Sequence, residues 1–156
     1  MLPSIDEAKA ILEQQLPGIS VTVESGWLVV AAKDLVAVSR YLKDTERFRL
    51  DYLSNLTAVD YPPERLEVIY HLYSMEHKHG PIPLKVTLCR ATPTVASVTP
   101  IWRAAEFQER EVYDLFGVTF EGHPDLRRIL LWEGFEGHPM RKDYVIEDQN
   151  VFERPE

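Results

Sequence analysis

Cysteine is nearly absent from this 156-residue chain, Cys89 being the only one. An internal disulfide is therefore excluded, and so is a cluster held by four of the chain's own thiolates. Long apolar runs are missing too: the longest, Trp27–Ala32, ends at Lys33-Asp34, far short of the roughly 20 residues that span a bilayer. The seven glycines form neither Gly-x-Gly-x-x-Gly nor Gly-x-x-x-x-Gly-Lys-Ser/Thr, so the recognisable phosphate-cradling loops are absent. Positive charge is in deficit. With 17 basic against 25 acidic residues the net charge is −8, which argues against a nucleic-acid partner. The stretch Met1–Glu7 is acidic where a presequence would be basic, so no targeting segment is read there and cytoplasmic residence is the expectation.

What is present is an ordinary globular composition, 45% hydrophobic and 27% charged, in a length that suits one domain with an appendage. Ser4 and Glu7 form a capping-box spacing before Ile5, Ala8, Ile11/Leu12 and Leu16, which predicts a helix over about 4–16. Ile19, Val21 and Val23 alternate with polar residues, and Ser25-Gly26 turns the chain into Trp27–Ala32, a hairpin with one buried face. Asp34 is placed to cap a second helix carrying Leu35, Val38 and Leu42. Strands are expected at Leu50–Tyr61, at Leu66, Val68, Tyr70 and Leu72, and at Leu84, Val86 and Leu88, with a Pro62-Pro63 turn and a loop over 77–83 between them. The order predicts an α+β fold in which helices pack on one face of a mostly antiparallel sheet. A charged helix over Ile101–Phe116, ended by Gly117, follows.

Beyond that helix the composition changes. Residues 1–100 hold 10 basic and 12 acidic groups, whereas 101–156 hold 7 and 13. Gly and Pro interrupt 118–156 too often for a stable isolated helix, so the chain is divided into an α+β body, 1–117, and an extended partner-binding arm, 118–156. The arm contains an echo: Phe120-Glu121-Gly122-His123-Pro124 recurs as Phe135-Glu136-Gly137-His138-Pro139, each followed by a basic pair, Arg127-Arg128 and Arg141-Lys142. Two copies are too few for a solenoid and are read as two turns, with His123 and His138 as turn anchors.

Other chemical candidates are weaker. His77-x-His79 supplies half a tetrahedral metal site and reads as a solvated loop, and Cys89 reads as a half-buried packing residue of an alternating strand. The densest signal is Glu109-Arg110-Glu111-Val112-Tyr113-Asp114-Leu115-Phe116-Gly117. On a helical wheel Glu106, Arg110 and Asp114 form a ladder on the polar side, read as solvated. Glu111 falls inside the apolar arc of Ala104, Phe107, Val112 and Leu115, which predicts a buried carboxylate paired with an arm cation, Arg127 or Arg128 first and Arg141 second.

At these residues the sequence resembles the C subunit, or 30 kDa subunit, of proton-translocating NADH:quinone oxidoreductase, respiratory complex I. The resemblance is carried by Glu109-Arg110-Glu111-x-x-Asp114-Leu115-Phe116-Gly117, by Gly122-His123-Pro124-Asp125-Leu126-Arg127-Arg128-Ile129-Leu130, and by Gly137-His138-Pro139-x-Arg141-Lys142-Asp143-Tyr144. It implies a peripheral-arm subunit on the cytoplasmic side of the energy-transducing membrane, packed on the D subunit and near other peripheral-arm subunits. It also implies that this chain binds no cofactor, while FMN, iron–sulfur clusters, NADH and quinone belong to other subunits. Glu109, Arg110, Glu111, Asp114, His123, Arg127, Arg128, His138, Arg141, Lys142, Asp143 and Tyr144 become interface or structural residues on this reading. Related assemblies, including photosynthetic NDH-type complexes and membrane-bound hydrogenases, contain similar subunits. Two alternatives compete: an independent acid–base enzyme using Glu111 and His123, and a free-standing adaptor. The arm's Phe120, Trp132, Phe135, Tyr144 and Phe152 are the expected partner anchors.

Overall fold

The computed structural model describes residues 3–145; Phe152 lies outside them. Helix α1 (Ile5–Gln15) carries the expected capping box, the Ser4 N–H donating to Glu7 Oε2 at 2.8 Å and the Glu7 N–H to Ser4 Oγ at 3.2 Å. Strands β1 (Val21–Glu24) and β2 (Trp27–Val30) form the hairpin. A 3-10 turn, Ala32–Asp34, leads into α2 (Leu35–Asp44), which buries Leu35, Val38 and Leu42. Asp34 does not cap α2, contrary to the expectation from sequence; its carboxylate accepts the Ser20 N–H at 2.9 Å and ties the turn to the hairpin.

Three long strands follow: β3 (Tyr52–Tyr61), β4 (Arg65–Ser74) and β5 (His79–Cys89). The five-stranded sheet runs β1-β2-β5-β4-β3, antiparallel except where β2 meets β5. Leu66, Val68, Tyr70 and Leu72 of β4 are buried, as are Ile82, Leu84, Val86 and Leu88 of β5, while Ile69, His71 and Tyr73 between them are only half-buried. One face therefore holds the core and takes the helices, which gives the expected α+β architecture.

Two local expectations fail. The predicted 77–83 loop is mostly strand, because β5 begins at His79, where it pairs with Ser74. Its prolines are tolerated because β2 pairs only with Leu84 and Lys85, so residues 79–83 behave as a sheet edge. Cys89 is exposed rather than half-buried; it ends the strand at one of the outward positions that alternate with Val86 and Leu88.

After β6 (Thr94–Ala96) a turn buries Val98, Ile101 and Trp102, and α3 (Ala105–Phe116) starts four residues later than its expected beginning. Strand β7 (Thr119–Glu121) then pairs parallel with β6. This places Phe120, 2% exposed, in the body's core with Val118, so Phe120 is not a displayed anchor.

Candidate interaction site

Helix α3 has three faces, and sorting its residues by burial separates the charges differently from the wheel drawn on hydrophobicity. Ala105, Glu109, Val112 and Phe116 turn to the core; Arg110 and Asp114 are also buried; Phe107 and Glu111 are exposed. The expected Glu111 clasp is therefore wrong. Phe107 and Leu115 suggested an inward arc around Glu111, yet Phe107 is 60% exposed. The supposedly solvated ladder is the one that is covered, because the chain after β7 folds back over it.

Asp114 is the hub of that cover. Its Oδ1 accepts Arg128 Nη1 at 2.7 Å, and its Oδ2 accepts the N–H groups of Ile129, Leu130 and Leu131 at 3.1, 2.8 and 2.9 Å. Burial works to raise its pKa, but the Leu131, Leu130 and Ile129 amides and the Arg128 guanidinium outweigh it and hold the carboxyl below its ordinary value. Arg128 also donates to the carbonyls of Phe135 and Gly137, at 3.0 and 3.2 Å. Arg110 complements this from the previous turn, donating to the Arg127 and Arg128 carbonyls, both at 3.1 Å. The Arg127 side chain takes no part; it pairs with Asp125 in solvent at 2.9 Å, a contact of little energetic weight.

The sequence echo is a structural echo. Gly122 and Gly137 both have left-handed backbones, at φ 82 and 86, and the histidine after each reaches a carbonyl of α3. His123 Nε2 meets the Glu106 carbonyl at 2.9 Å while its Nδ1 accepts the Asp125 N–H at 3.0 Å. In that arrangement Nδ1 is the acceptor and Nε2 the donor. His138 Nδ1 meets the Asp114 carbonyl at 3.1 Å; burial is the first cause holding its pKa below the usual value, joined by Arg141 and Arg128 against the opposing Asp114. Both histidines are anchors, as the turn reading expected. His123 has both nitrogens engaged beside Glu106, on a different side of α3 from Glu111, so the acid–base pair considered from sequence does not form.

His138 also explains why Gly117 ends the helix. Gly117 has φ +74, and a Cβ there would lie 2.5 Å from His138 Nε2. Gly117→Ala should destabilise the protein by about 1–3 kcal/mol from the backbone alone, with further loss as the imidazole is displaced. Denaturant unfolding checks this, and an unchanged midpoint would show that the turn adapts freely.

Residues 127–145, the chain that folds back over α3, form a strap, and a second hub holds its end. Asp60, 2% exposed, receives Arg90 through two bonds of 2.7 and 3.1 Å and the Lys142 N–H at 2.8 Å. Arg90 also pairs with Asp143, and the Arg90 hydrogen bond is the first cause lowering the pKa of both Asp60 and Asp143. Arg141 Nε donates to the Phe116 carbonyl at 2.7 Å. Tyr144 stacks on Phe135, ring centres 6.1 Å apart, and Trp132 meets Phe135 edge-on at 4.8 Å. Sequence reasoning missed Asp60, although Leu56, Ala58 and Asp60 share the inward side of β3, and a carboxylate in that series needs a partner.

Glu109 stands apart from both hubs. It is fully buried, accepts Ser97 Oγ at 2.6 Å and the Val98 N–H at 2.7 Å, and closes the turn before α3. No cation reaches it in these contacts, and burial pushes its pKa up to about 7 against those two hydrogen bonds. The Tyr70 hydroxyl, buried without a hydrogen-bond partner among the described residues, is pushed up in pKa by burial and by the Glu109 charge. Elsewhere, the His77 and His79 rings stack at 5.5 Å, and among the described residues no group of three or more potential ligands could hold a metal ion.

Residues 28–150 match the family described as respiratory-chain NADH dehydrogenase, 30 Kd subunit. The chain is 45% identical over 141 residues to the C subunit of NADH-quinone oxidoreductase from Moorella thermoacetica, covering 88% of this chain and 93% of that one. It is 46% identical over 119 residues to the C 2 subunit of NADH-quinone oxidoreductase from Rhizobium meliloti, covering 75% of this chain but only 64% of that relative. Among solved structures it resembles a chain of the membrane-bound sulfane sulfur reductase, an archaeal respiratory membrane complex. The TM-score is 0.73 and the identity 26%, over 90% of this chain and 85% of the other.

Proposed function

Because the chain belongs to the family of respiratory-chain NADH dehydrogenase 30 Kd subunits, we propose that it is a structural subunit of the peripheral arm of an NADH:quinone oxidoreductase. In this reading it binds no cofactor, packs directly on the D subunit, and lies on the cytoplasmic side of the energy-transducing membrane. FMN, iron–sulfur clusters, NADH and quinone are held by other subunits, and this chain keeps their carriers at fixed separations. One observation carries the reading: the strap over α3 is fastened from below by buried polar hubs while its apolar side chains face outward. Leu130 is 62% exposed, Met140 55% and Val145 72%, and Trp132 lies beside them in sequence. Exposed apolar residues on a rigidly fastened segment mark an association surface. No helix among the described residues is long and apolar enough to cross a membrane, which fits attachment through other subunits.

The division into a body, 1–117, and a partner-binding arm, 118–156, belongs to this proposal with one adjustment. Val118 and Phe120 are core residues, so the informative truncation falls after Leu126, which keeps β7 and the His123 anchor. We expect the full chain, purified with its complex, to bring down the D subunit, and the truncated chain to fold cooperatively but bind that subunit at least tenfold more weakly. Equal recovery by the truncated chain would remove the strap from the interface. Iron or flavin bound stoichiometrically to the isolated full chain would overturn the cofactor-free reading. The likeness to the sulfane sulfur reductase chain favours a second reading, an assembly of the same build with different redox partners. The identities of the co-purifying subunits decide between them.

A further inference from the structure

The exposed stripe of α3 carries a carboxylate with no partner among the described residues. Glu111 is exposed, and it has no hydrogen bond or ion pair within the described residues. One turn before it stands Phe107, 60% exposed, and one turn after it Leu115, half-buried. On one flank the stripe is bounded by the strap. The Leu130 N–H lies on Asp114 and the Met140 N–H donates to the Leu115 carbonyl at 3.1 Å; these two side chains are 62% and 55% exposed. On the other flank Gln108 closes against β3, its Oε1 accepting the Leu56 N–H at 2.5 Å. The nearest cation on the helix, Arg110, is spent on the Arg127 and Arg128 carbonyls.

A lone acid in such a setting stays in water at no cost while the surface is open. Once an apolar surface covers Phe107, Leu130 and Met140, the same carboxylate loses its hydration and needs a cation delivered from the other side. We propose that this stripe is the docking surface for a segment of a neighbouring subunit that presents an arginine or lysine between apolar side chains, and that the cation pairs with Glu111. Arginine suits it best, since its planar fork satisfies both carboxylate oxygens. This rests on the reading of the chain as a complex subunit and adds to it the chemistry of the partner and the residue that selects it. Charge complementarity also provides rejection: a partner presenting an acid at this point would meet Glu111 directly.

The test compares tagged wild-type chain with Glu111→Gln, Glu111→Lys and the control Glu13→Lys, each expressed in the source cells and purified with its complex. Glu111→Lys should lower recovery of the D subunit on the order of a hundredfold, with Glu111→Gln intermediate and Glu13→Lys unchanged. The isolated Glu111→Lys chain should melt as the wild type does, because Glu111 supports nothing among the described residues. Placing a photoreactive benzoylphenylalanine at Phe107 should label a neighbouring-subunit peptide containing arginine or lysine among apolar residues. The proposal is overturned if Glu111→Lys recovers the partner normally, if it melts well below wild type, or if the labelled peptide has no cation. It is also overturned if the wild-type chain forms a dimer that Glu111→Lys disperses, since the occupant would then be a second copy. Wild-type chain that recovers its oxidoreductase partners while Glu111→Lys does so equally would sink this inference and leave the subunit assignment standing. Wild-type chain that recovers none of them would sink both.

Discussion

Asp114→Ala should loosen residues 129–131 from α3 and cost about 3 kcal/mol of stability. The carboxylate is 0% exposed and satisfies three consecutive amides and one guanidinium. Its removal strands those donors together. Breaking a fully buried charge pair costs about 3–5 kcal/mol, but the Arg128 side chain is 25% exposed, so water softens the loss. Arg128 also keeps its bonds to the Phe135, Gly137 and Asp114 carbonyls, and Arg110, His138 and Arg141 still tie the strap to α3. The loosening should therefore centre on residues 129–131. Amide exchange at Ile129, Leu130 and Leu131 is expected to accelerate strongly, with little change at β4 and β5. Asp114→Asn should be nearly as damaging, because its NH2 group faces donors and its charge is gone. Arg128→Ala combined with Asp114→Ala should cost less than the two single losses added. Additive losses, or unchanged exchange at those three amides, would show that the hub does not hold the strap.

How much of this was legible in the sequence depends on whether a rule of local spacing governed the feature. The Ser4/Glu7 box, the alternating strands and Gly117 as a left-handed stop are all local, and each appears in the structure where its rule put it. The two Gly-His-Pro turns were legible as turns, but not the carbonyls they reach on α3. The faces of α3 were misread because a hydrophobicity wheel assumes that one side meets a core and the other meets water. Here a third surface, a polar strap, covers Arg110 and Asp114, and the exposed Phe107 drew the apolar arc toward Glu111. Periodicity could not show that Phe107 is exposed either, since an apolar residue at the surface looks the same in the sequence as one in the core. Asp60 joins Arg90 across 30 positions and the Lys142 amide across 82. No local rule connects them; only the inward parity of Asp60 on β3 gave a hint.

Glu109 should make the protein less stable as pH rises from about 4.5 to 7, against an opposing gain from His138, whose pKa burial holds below its ordinary 6.5. The pKa of Glu109 in the folded chain is about 7 against an ordinary 4.5. Below 4.5 the carboxyl is protonated in both folded and unfolded chains, and its buried hydrogen bonds contribute fully. As pH rises through the interval, the unfolded chain releases the proton while the folded chain retains it, so unfolding becomes more favourable. Above 7 both forms are ionised and the loss levels off, at on the order of 3 kcal/mol. The aspartates act in a separate window with the opposite sign. Asp60, Asp114 and Asp143 are held below their ordinary 3.8, so their contribution is present above that value and is lost as pH falls through the lowered folded pKa. Glu109→Gln isolates the first effect: its carbonyl can accept the Val98 N–H while its amide donates to Ser97 Oγ, reproducing the protonated acid at every pH. Between pH 5 and pH 8 the denaturant midpoint of wild type should fall relative to that of Glu109→Gln, which keeps the His138 contribution, and Glu109→Gln should equal or exceed wild-type stability at pH 8. Glu109→Ala should be destabilised at both, since it leaves the Val98 amide without its acceptor and opens a void beside Tyr70. The same pH slope in Glu109→Gln as in wild type would assign the effect to another group. Glu109 belongs to α3 itself and closes the turn before it, so its ionisation bears on the same helix whose other faces carry the strap and Glu111.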